Sequence, residues 1–302
     1  MALTRLDGRV ALVTGAGGGL GRSHAVALAE AGAMVVVNDI GIDTEGRGEV
    51  DASAAERVAE EINSKGGTAV AQHASVDSDE GAQSIVAEAI GQFGRLDVVV
   101  NNAGILRDAS FGKLSPESFA DVLRVHLTGT ANVTRAAWPH LREAGYGRII
   151  NTAAGAGLYG NFGQSAYSAA KMGIVGLTRT LAIEGRGRNI SANVVAPMAA
   201  SRMTERIMSQ EMLNRFRPEY ASAMVAYLAT EACGVSGQIF EIGGGYYSRV
   251  AIVQGNGVVF GEVPSVEEIH GRFDELSDIS AYFEASGSDD LMPRLLERLS
   301  LD

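Results

Sequence analysis

Short apolar runs alternate with helix-length segments over about 240 residues, and this alternation constrains the fold more than any other feature of the chain. Strands are expected at 10–14, 33–38, 68–72, 96–100, 148–152, 190–195 and 238–242, most of them rich in valine or isoleucine. Helices are expected at 23–31, 54–64, 80–93, from Pro116 on toward Leu141, and at 167–183 and 219–230. Gly66-Gly67 stops the second of these. Ser115 as N-cap and Pro116 at the first helical position start the long one. Residues 41–52 are polar and glycine-bearing and are expected as a long loop, and 202–216 as a helix outside the alternation. Repeated β-α units need crossovers, and crossovers build a parallel sheet covered on both faces. The expected fold class is therefore α/β, a doubly wound parallel sheet.

The first strand runs into Thr14-Gly15-Ala16-Gly17-Gly18-Gly19-Leu20-Gly21, which opens a helix. Glycines in a strand–turn–helix let the backbone approach a pyrophosphate, whose charge the helix N-terminus favours. A plain glycine turn is the alternative, but the context makes this a dinucleotide site and the sheet Rossmann-like. Asp39 ends the second strand, 24 residues beyond Gly15. An acid there accepts hydrogen bonds from the adenosine ribose and repels a 2′-phosphate, which selects NAD over NADP; capping a loop is its other reading. Asn101-Asn102-Ala103-Gly104 follows the fourth strand, where small residues leave room for a cofactor ribose and the amides tie neighbouring loops.

Tyr167 and Lys171 are four residues apart and so share a helix face. A phenol has a pKa of about 10, and a nearby cation favours its ionised form. The pair suits proton exchange with an alcohol. On its own it is equally a tyrosine and a lysine on a helix surface.

Composition narrows the partners. Net charge is −11, so there is no basic field for nucleic acid or an anionic membrane. The single cysteine, Cys233, leaves no intramolecular disulfide and no cysteine-based metal site, and the five histidines lack ligand spacing. This fits the cytoplasm or another reducing intracellular compartment. The first residues carry charges where a signal peptide needs an apolar run, and no apolar stretch reaches membrane-spanning length, so no membrane insertion is expected.

Taken together, the glycine loop, Asn101-Asn102-Ala103-Gly104 and Tyr167-x-x-x-Lys171 resemble the short-chain dehydrogenase/reductase family over about residues 5–248. Longer runs resemble one branch of it, the (3R)-hydroxyacyl-CoA dehydrogenase domains of peroxisomal multifunctional enzymes of type 2. These include Val99 to Asp108, Thr134 to Trp138, Gly145 to Ile150, Tyr159 to Gln164, Leu181 to Gly185 and Ser201 to Thr204. The branch includes 17β-hydroxysteroid dehydrogenase activity. The resemblance implies Tyr167 as general acid/base and Lys171 as the residue that binds the nicotinamide ribose and lowers the tyrosine pKa. It implies Gly15, Gly19, Leu20, Gly21, Asp39, Ser75, Val76, Asn102, Ala103, Gly104, Pro197 and Thr204 around the cofactor. His126 occupies the slot where many members carry a relay asparagine; it is either a relay or a structural support.

Ala154 departs from the family. It lies thirteen residues before Tyr167, where the catalytic serine is expected, and Ala153 beside it carries no hydroxyl either. Removing one preorganised donor to the substrate oxygen costs about 10²–10³ in rate. The chain is then a slowed NAD-dependent dehydrogenase, an inactivated variant, or a degenerate NAD-binding subunit that pairs with an active partner.

The substrate implied is a small molecule, an acyl-CoA or a steroid. Met198, Met203, Met208 and Met212 line an adaptable apolar pocket or belong to the core. Arg202 and Arg206 meet a CoA phosphate or solvent. Ala169, Ala170, Gly173 and Gly176 thin one face of the Tyr167 helix, for a homodimer or higher homo-oligomer or for packing on its own sheet. Residues 249–302 leave the alternation and are expected as a C-terminal extension, with a strand pair around Asn256-Gly257 and acidic helices.

Overall fold

The structure is a computed structural model and describes residues 3–43, 45–46, 50–51, 53–199 and 209–300. Its contacts divide the chain into two compact units, Met1–Arg249 and Val250–Asp302.

The first unit is built on strands β1 (Val10–Thr14), β2 (Met34–Asn38), β3 (Thr68–Gln72), β4 (Val98–Asn101), β5 (Gly147–Thr152), β6 (Ile190–Met198), β7 (Ile239–Gly243) and β8 (Tyr246–Val250). They form one sheet in the order β3-β2-β1-β4-β5-β6-β7-β8. Every adjacent pair from β3 through β7 is parallel. Helices α1 (Gly19–Glu30), α2 (Ala54–Ser64), α3 (Asp79–Phe93), α4 (Pro116–Leu123), α5 (Gly129–Ala144), α6 (Gly155–Tyr159), α7 (Ser165–Gly185), α8 (Gln210–Arg215) and α9 (Glu219–Leu228) connect them. Strand residues alternate between two cores, as the pleat requires. Val35 and Val37 join Leu28, Val58 and Ile62 on one face. Val36 joins Ile85, Leu141 and Ile149 on the other. Burial on both faces is why the strands read as continuous apolar runs. No helix among the described residues is long and apolar enough to cross a membrane.

Two expectations are corrected. The long helix from Pro116 does not run straight to Leu141: a π-helical turn, Arg124–Thr128, separates α4 from α5. Such turns insert a residue and re-aim side chains, here that of His126. The strand pair at Asn256-Gly257 is not a local hairpin. In the second unit β9 (Gln254–Gly255) pairs antiparallel with β10 (Tyr282–Phe283), which lies beyond α10 (Val266–Gly271) and α11 (Phe273–Ser277). The unit ends in α12 (Leu291–Leu299). Elsewhere, helix ends shift by a few residues in either direction, as in α1, which starts four residues earlier, and α9, which ends two residues sooner, and α6 and β8 arise from glycine-flanked stretches with no clear period. Of the expected helix at 202–216 only α8 lies within the described residues.

The thin face of α7 divides. Ala170 is fully buried, and a Cβ on Gly173 would come within 2.9 Å of Leu127, so these two pack inside the chain. Ala169 is exposed and Gly176 has open space beside it. They turn outward together with Met172 and Ile183, which are 41% and 44% exposed.

A buried histidine makes the first unit acid-sensitive. His24 on α1 is fully buried, with Nδ1 2.8 Å from the Ser222 hydroxyl on α9. Burial pulls its pKa from 6.5 to about 4. The folded state holds the neutral ring, so its contribution is complete above pH 6.5 and is lost as pH falls toward 4. The loss amounts to about 3 kcal/mol at one unit per 1.36 kcal/mol. Denaturant titrations from pH 7 to pH 4 should show that decline, and His24→Gln should flatten it. An equally steep decline in the variant would clear His24 of the effect.

Candidate active site

The strand order reverses at β1, which has β2 on one side and β4 on the other. In such sheets the ligand crevice opens at the carboxyl ends of the strands that flank the switch. The two strand ends are bonded together here. Thr14 Oγ1 accepts from the backbone N–H of Asn102 (3.0 Å) and of Ala103 (3.1 Å). Asn102 Nδ2 donates to the carbonyls of Thr14 and Gly15, both at 3.1 Å. The amide pair thus ties loops, as its sequence context suggests.

The glycine loop is built for close approach. Gly15 has φ +64° and Gly19 φ +52°, a region that side chains rarely adopt. A Cβ on Gly21 would lie 2.1 Å from the Gly15 carbonyl oxygen, and one on Gly17 2.8 Å from the Asp39 carboxylate. Helix α1 starts at Gly19, and no side chain caps its first N–H groups. Those donors are left for an anion. Asp39 accepts from Gly17 N at 2.8 Å and from Gly41 N at 2.7 Å. It therefore braces the loop and still lines the cavity beside it.

That cavity holds about 330 Å³. Every expected cofactor or catalytic residue lines it except Ala154, Pro197 and Thr204. Thr204 lies outside the described residues, as do Arg202, Met203, Arg206 and Met208. Met198 and Met212 do not line it and are 50% and 40% exposed, so neither belongs to the core. The sequence reading missed Asp77, Ile105, Arg107, Arg124 and Thr152, which also form its walls. Ile105 and Arg107 follow the Asn101–Gly104 segment directly, and Thr152 closes β5, so strand ends were the signal that could have found them.

Tyr167 sits in the first turns of α7, edge-on to His126 with ring centroids 5.2 Å apart. Lys171 Nζ lies 5.5 Å from the Tyr167 ring centre and donates to the Thr152 carbonyl at 2.6 Å. Burial and the Asp108 carboxylate push the Tyr167 pKa up to about 12. Burial pulls Lys171 down to about 7. In this geometry the Tyr167 shift is upward, with burial as the larger cause and Asp108 as the second.

His126 is buried, and burial first, then Lys171, hold its pKa near 3, so the ring is neutral. Its Nε2 lies 2.7 Å from the Ile105 carbonyl and 3.0 Å from the Ile105 amide. A neutral ring nitrogen serves one of these at a time. The adjacent Gly104 is obligatory, since a Cβ there would be 2.1 Å from His126 Cε1. The geometry makes His126 a support for the Ile105 backbone that also touches the tyrosine.

A buried polar chain fixes α7 against the sheet. Asn101 Nδ2 donates to Thr134 Oγ1 (3.0 Å) and Asn151 Oδ1 (2.8 Å), and Asn151 Nδ2 donates to Thr178 Oγ1 (2.9 Å). Asn101 Oδ1 is the one atom of this polar chain that is buried without a partner among the described residues. Ala154 is extended, with φ −162°, and caps the start of α6. Its carbonyl accepts from Gly157 N at 2.9 Å. The hydroxyls of Thr152, Ser165 and Ser168 are buried without a partner among the described residues. Of these three residues only Thr152 lines the cavity.

Comparison with known proteins agrees with this architecture. Residues 9–212 match the family model described as short chain dehydrogenase. The chain is 52% identical over 246 residues to the mouse peroxisomal multifunctional enzyme type 2, covering 82% of this chain and 33% of that protein. It is 50% identical to the putative short-chain type dehydrogenase/reductase Rv0148 of Mycobacterium tuberculosis, covering 90% of this chain and 95% of that one. The solved structure of full-length peroxisomal multifunctional enzyme type 2 from Drosophila melanogaster superposes with a TM-score of 0.82 at 37% identity, over 98% of this chain and 50% of that one. The chain thus spans a third to a half of the multifunctional relatives and nearly the whole of the mycobacterial one. On its sheet, its crevice and this match, the chain belongs to the short-chain dehydrogenase family.

Proposed function

We propose that the chain is an NAD-dependent oxidoreductase that interconverts a secondary alcohol and its ketone. The preferred substrate is a (3R)-3-hydroxyacyl-CoA, with a 17β-hydroxysteroid as the next class. One observation carries the reading: Tyr167, Lys171 and His126 open into the same cavity as the glycine loop and Asp39. The residues fit a dinucleotide. The glycine cradle leaves no room for a Cβ at Gly15 or Gly21, and α1 offers uncapped N–H donors. Asp39 and Asp77 on the cavity wall suit ribose hydroxyls and repel a 2′-phosphate, so NAD is the expected form. The acyl-CoA class rests on the resemblance and on the similarity to multifunctional enzymes of type 2.

When bound, the nicotinamide supplies the hydride acceptor or donor. The chain supplies the rest. Tyr167 Oη takes the proton of the alcohol in oxidation and returns it to the ketone oxygen in reduction. Lys171, held by Thr152, keeps positive charge near the phenol below its pKa of about 7. His126 holds the Ile105 segment against the reacting end of the cavity. The serine hydroxyl that would steady charge on the substrate oxygen is absent at Ala154, so turnover is slow.

Ala154 also favours one second reading, a non-catalytic NAD-binding subunit that pairs with an active partner. Titration with NADH, followed by assays of (3R)-3-hydroxyacyl-CoA, its (3S) isomer and a 17β-hydroxysteroid with NAD and with NADP, separates the readings. Slow NAD-dependent oxidation of the (3R) thioester is expected. Tight NADH binding without turnover of any substrate would select the subunit reading, and absence of NADH binding would sink both.

A further inference from the structure

The chain carries three lysines, Lys65, Lys113 and Lys171. The first two face solvent: Lys65 is paired with Glu61 at 2.8 Å, and Lys113 is exposed. Lys171 is only 3% exposed, yet it forms part of the cavity wall together with Thr152 and Tyr167. A molecule therefore reaches it from inside the cavity and not from the outer surface.

What surrounds the amine is neutral. Its Nζ donates to a carbonyl, that of Thr152, at 2.6 Å. The titratable groups beside it are the Tyr167 phenol, whose ring centre is 5.5 Å away, and His126. The phenol keeps its proton up to about 12 and the imidazole gains its second proton only near 3, so neither is charged at neutral pH. A buried ammonium without a counter-ion sheds its proton readily, and burial brings Lys171 down to about 7. A desolvated lysine of this kind is a nucleophile as well as a charge. Its bond to Thr152 uses one N–H and leaves the lone pair of the free amine unengaged.

We infer that Lys171 is an acylation site: a thioester that enters the cavity transfers its acyl group to Nζ. The lone pair attacks the thioester carbonyl carbon, and the C–S bond breaks. The amine proton leaves with the sulfur as free thiol, and Nζ is left as a neutral amide. No further reagent takes part. The inference rests on the proposal that the cavity accepts an acyl-CoA. The amide removes the charge near Tyr167 and fills space at the reacting end, so the modified chain loses dehydrogenase turnover. A dinucleotide in the cavity shares this wall and should shield the amine.

The test incubates the full chain with acetyl-CoA at about pH 8, with and without NADH, and follows the three lysines by peptide mass spectrometry. Acetyl-CoA has no 3-hydroxyl group to oxidise, so acylation is seen alone. Lys171 should be acetylated at least about tenfold faster than Lys65 or Lys113, since a pKa lowered by one unit raises the free amine about tenfold. NADH should slow Lys171 alone. Acetylation confined to Lys65 and Lys113, or no faster at Lys171, would overturn the inference. So would acetylation of Lys171 that NADH leaves unslowed, which would put the reaction outside the cavity. Oxidation of a (3R)-3-hydroxyacyl-CoA by the same preparation separates the two failures. Turnover with Lys171 unacylated refutes the inference alone, whereas neither turnover nor acylation brings down the acyl-CoA reading and the inference with it.

Discussion

Ala154→Ser should raise turnover by about 10²–10³-fold, the worth of one preorganised donor at a developing oxyanion. NADH affinity should not change, because Ala154 does not line the dinucleotide cavity. The backbone is ready for the change. Ala154 is extended and is the N-cap of α6, a position that serine favours, so the variant should be at least as stable. Thr152 ends β5 two residues earlier, about 6–7 Å away along the strand, so its hydroxyl does not stand in the place of residue 154. Paired kcat measurements on the native chain and the variant decide the matter. An unchanged kcat would mean that the substrate oxygen does not lie beside residue 154, and the active-site reading would have to be redrawn.

Tyr167→Phe should remove about 10²–10⁴ of the turnover, the contribution of a positioned acid/base, and leave NADH binding intact. The pH profile carries the stronger signature. The Tyr167 pKa is pushed up to about 12 by burial and by Asp108. Oxidation needs the phenolate, so its rate should climb from pH 7 to pH 10. Reduction needs the phenol and should stay level over the same range. Lys171 sheds its proton above about 7, which withdraws support from the phenolate and makes the climb shallower than tenfold per unit. The slope should vanish in Tyr167→Phe. An oxidation profile that is flat in the native chain would show that another group takes the proton.

Most of the fold was legible because it depends on local pattern. Valine runs such as Val35–Val37 are apolar on both sides, and glycine and proline punctuate them. The cavity wall was legible for the same reason: strand ends converge at a switch point, so the residues just past β1, β2 and β4 had to meet. What failed depends on distant partners. The π-turn at Arg124–Thr128 leaves no local signal, yet it places His126 against Ile105, twenty-one residues away. The pairing of β9 with β10 skips a turn-like Asn256-Gly257 because two helices intervene. The pKa of Tyr167 depends on burial and on Asp108, neither of which follows from its spacing to Lys171.

The central claim is that the Tyr167 cavity carries out hydride transfer to a dinucleotide. Incubating the native chain with NAD and a (3R)-3-hydroxyacyl-CoA deuterated at C3 tests it most directly. The account predicts deuterium in the recovered NADH, slowly with the native chain, faster with Ala154→Ser and not with Tyr167→Phe. NADH binding with no label transferred by either the native chain or Ala154→Ser would contradict it.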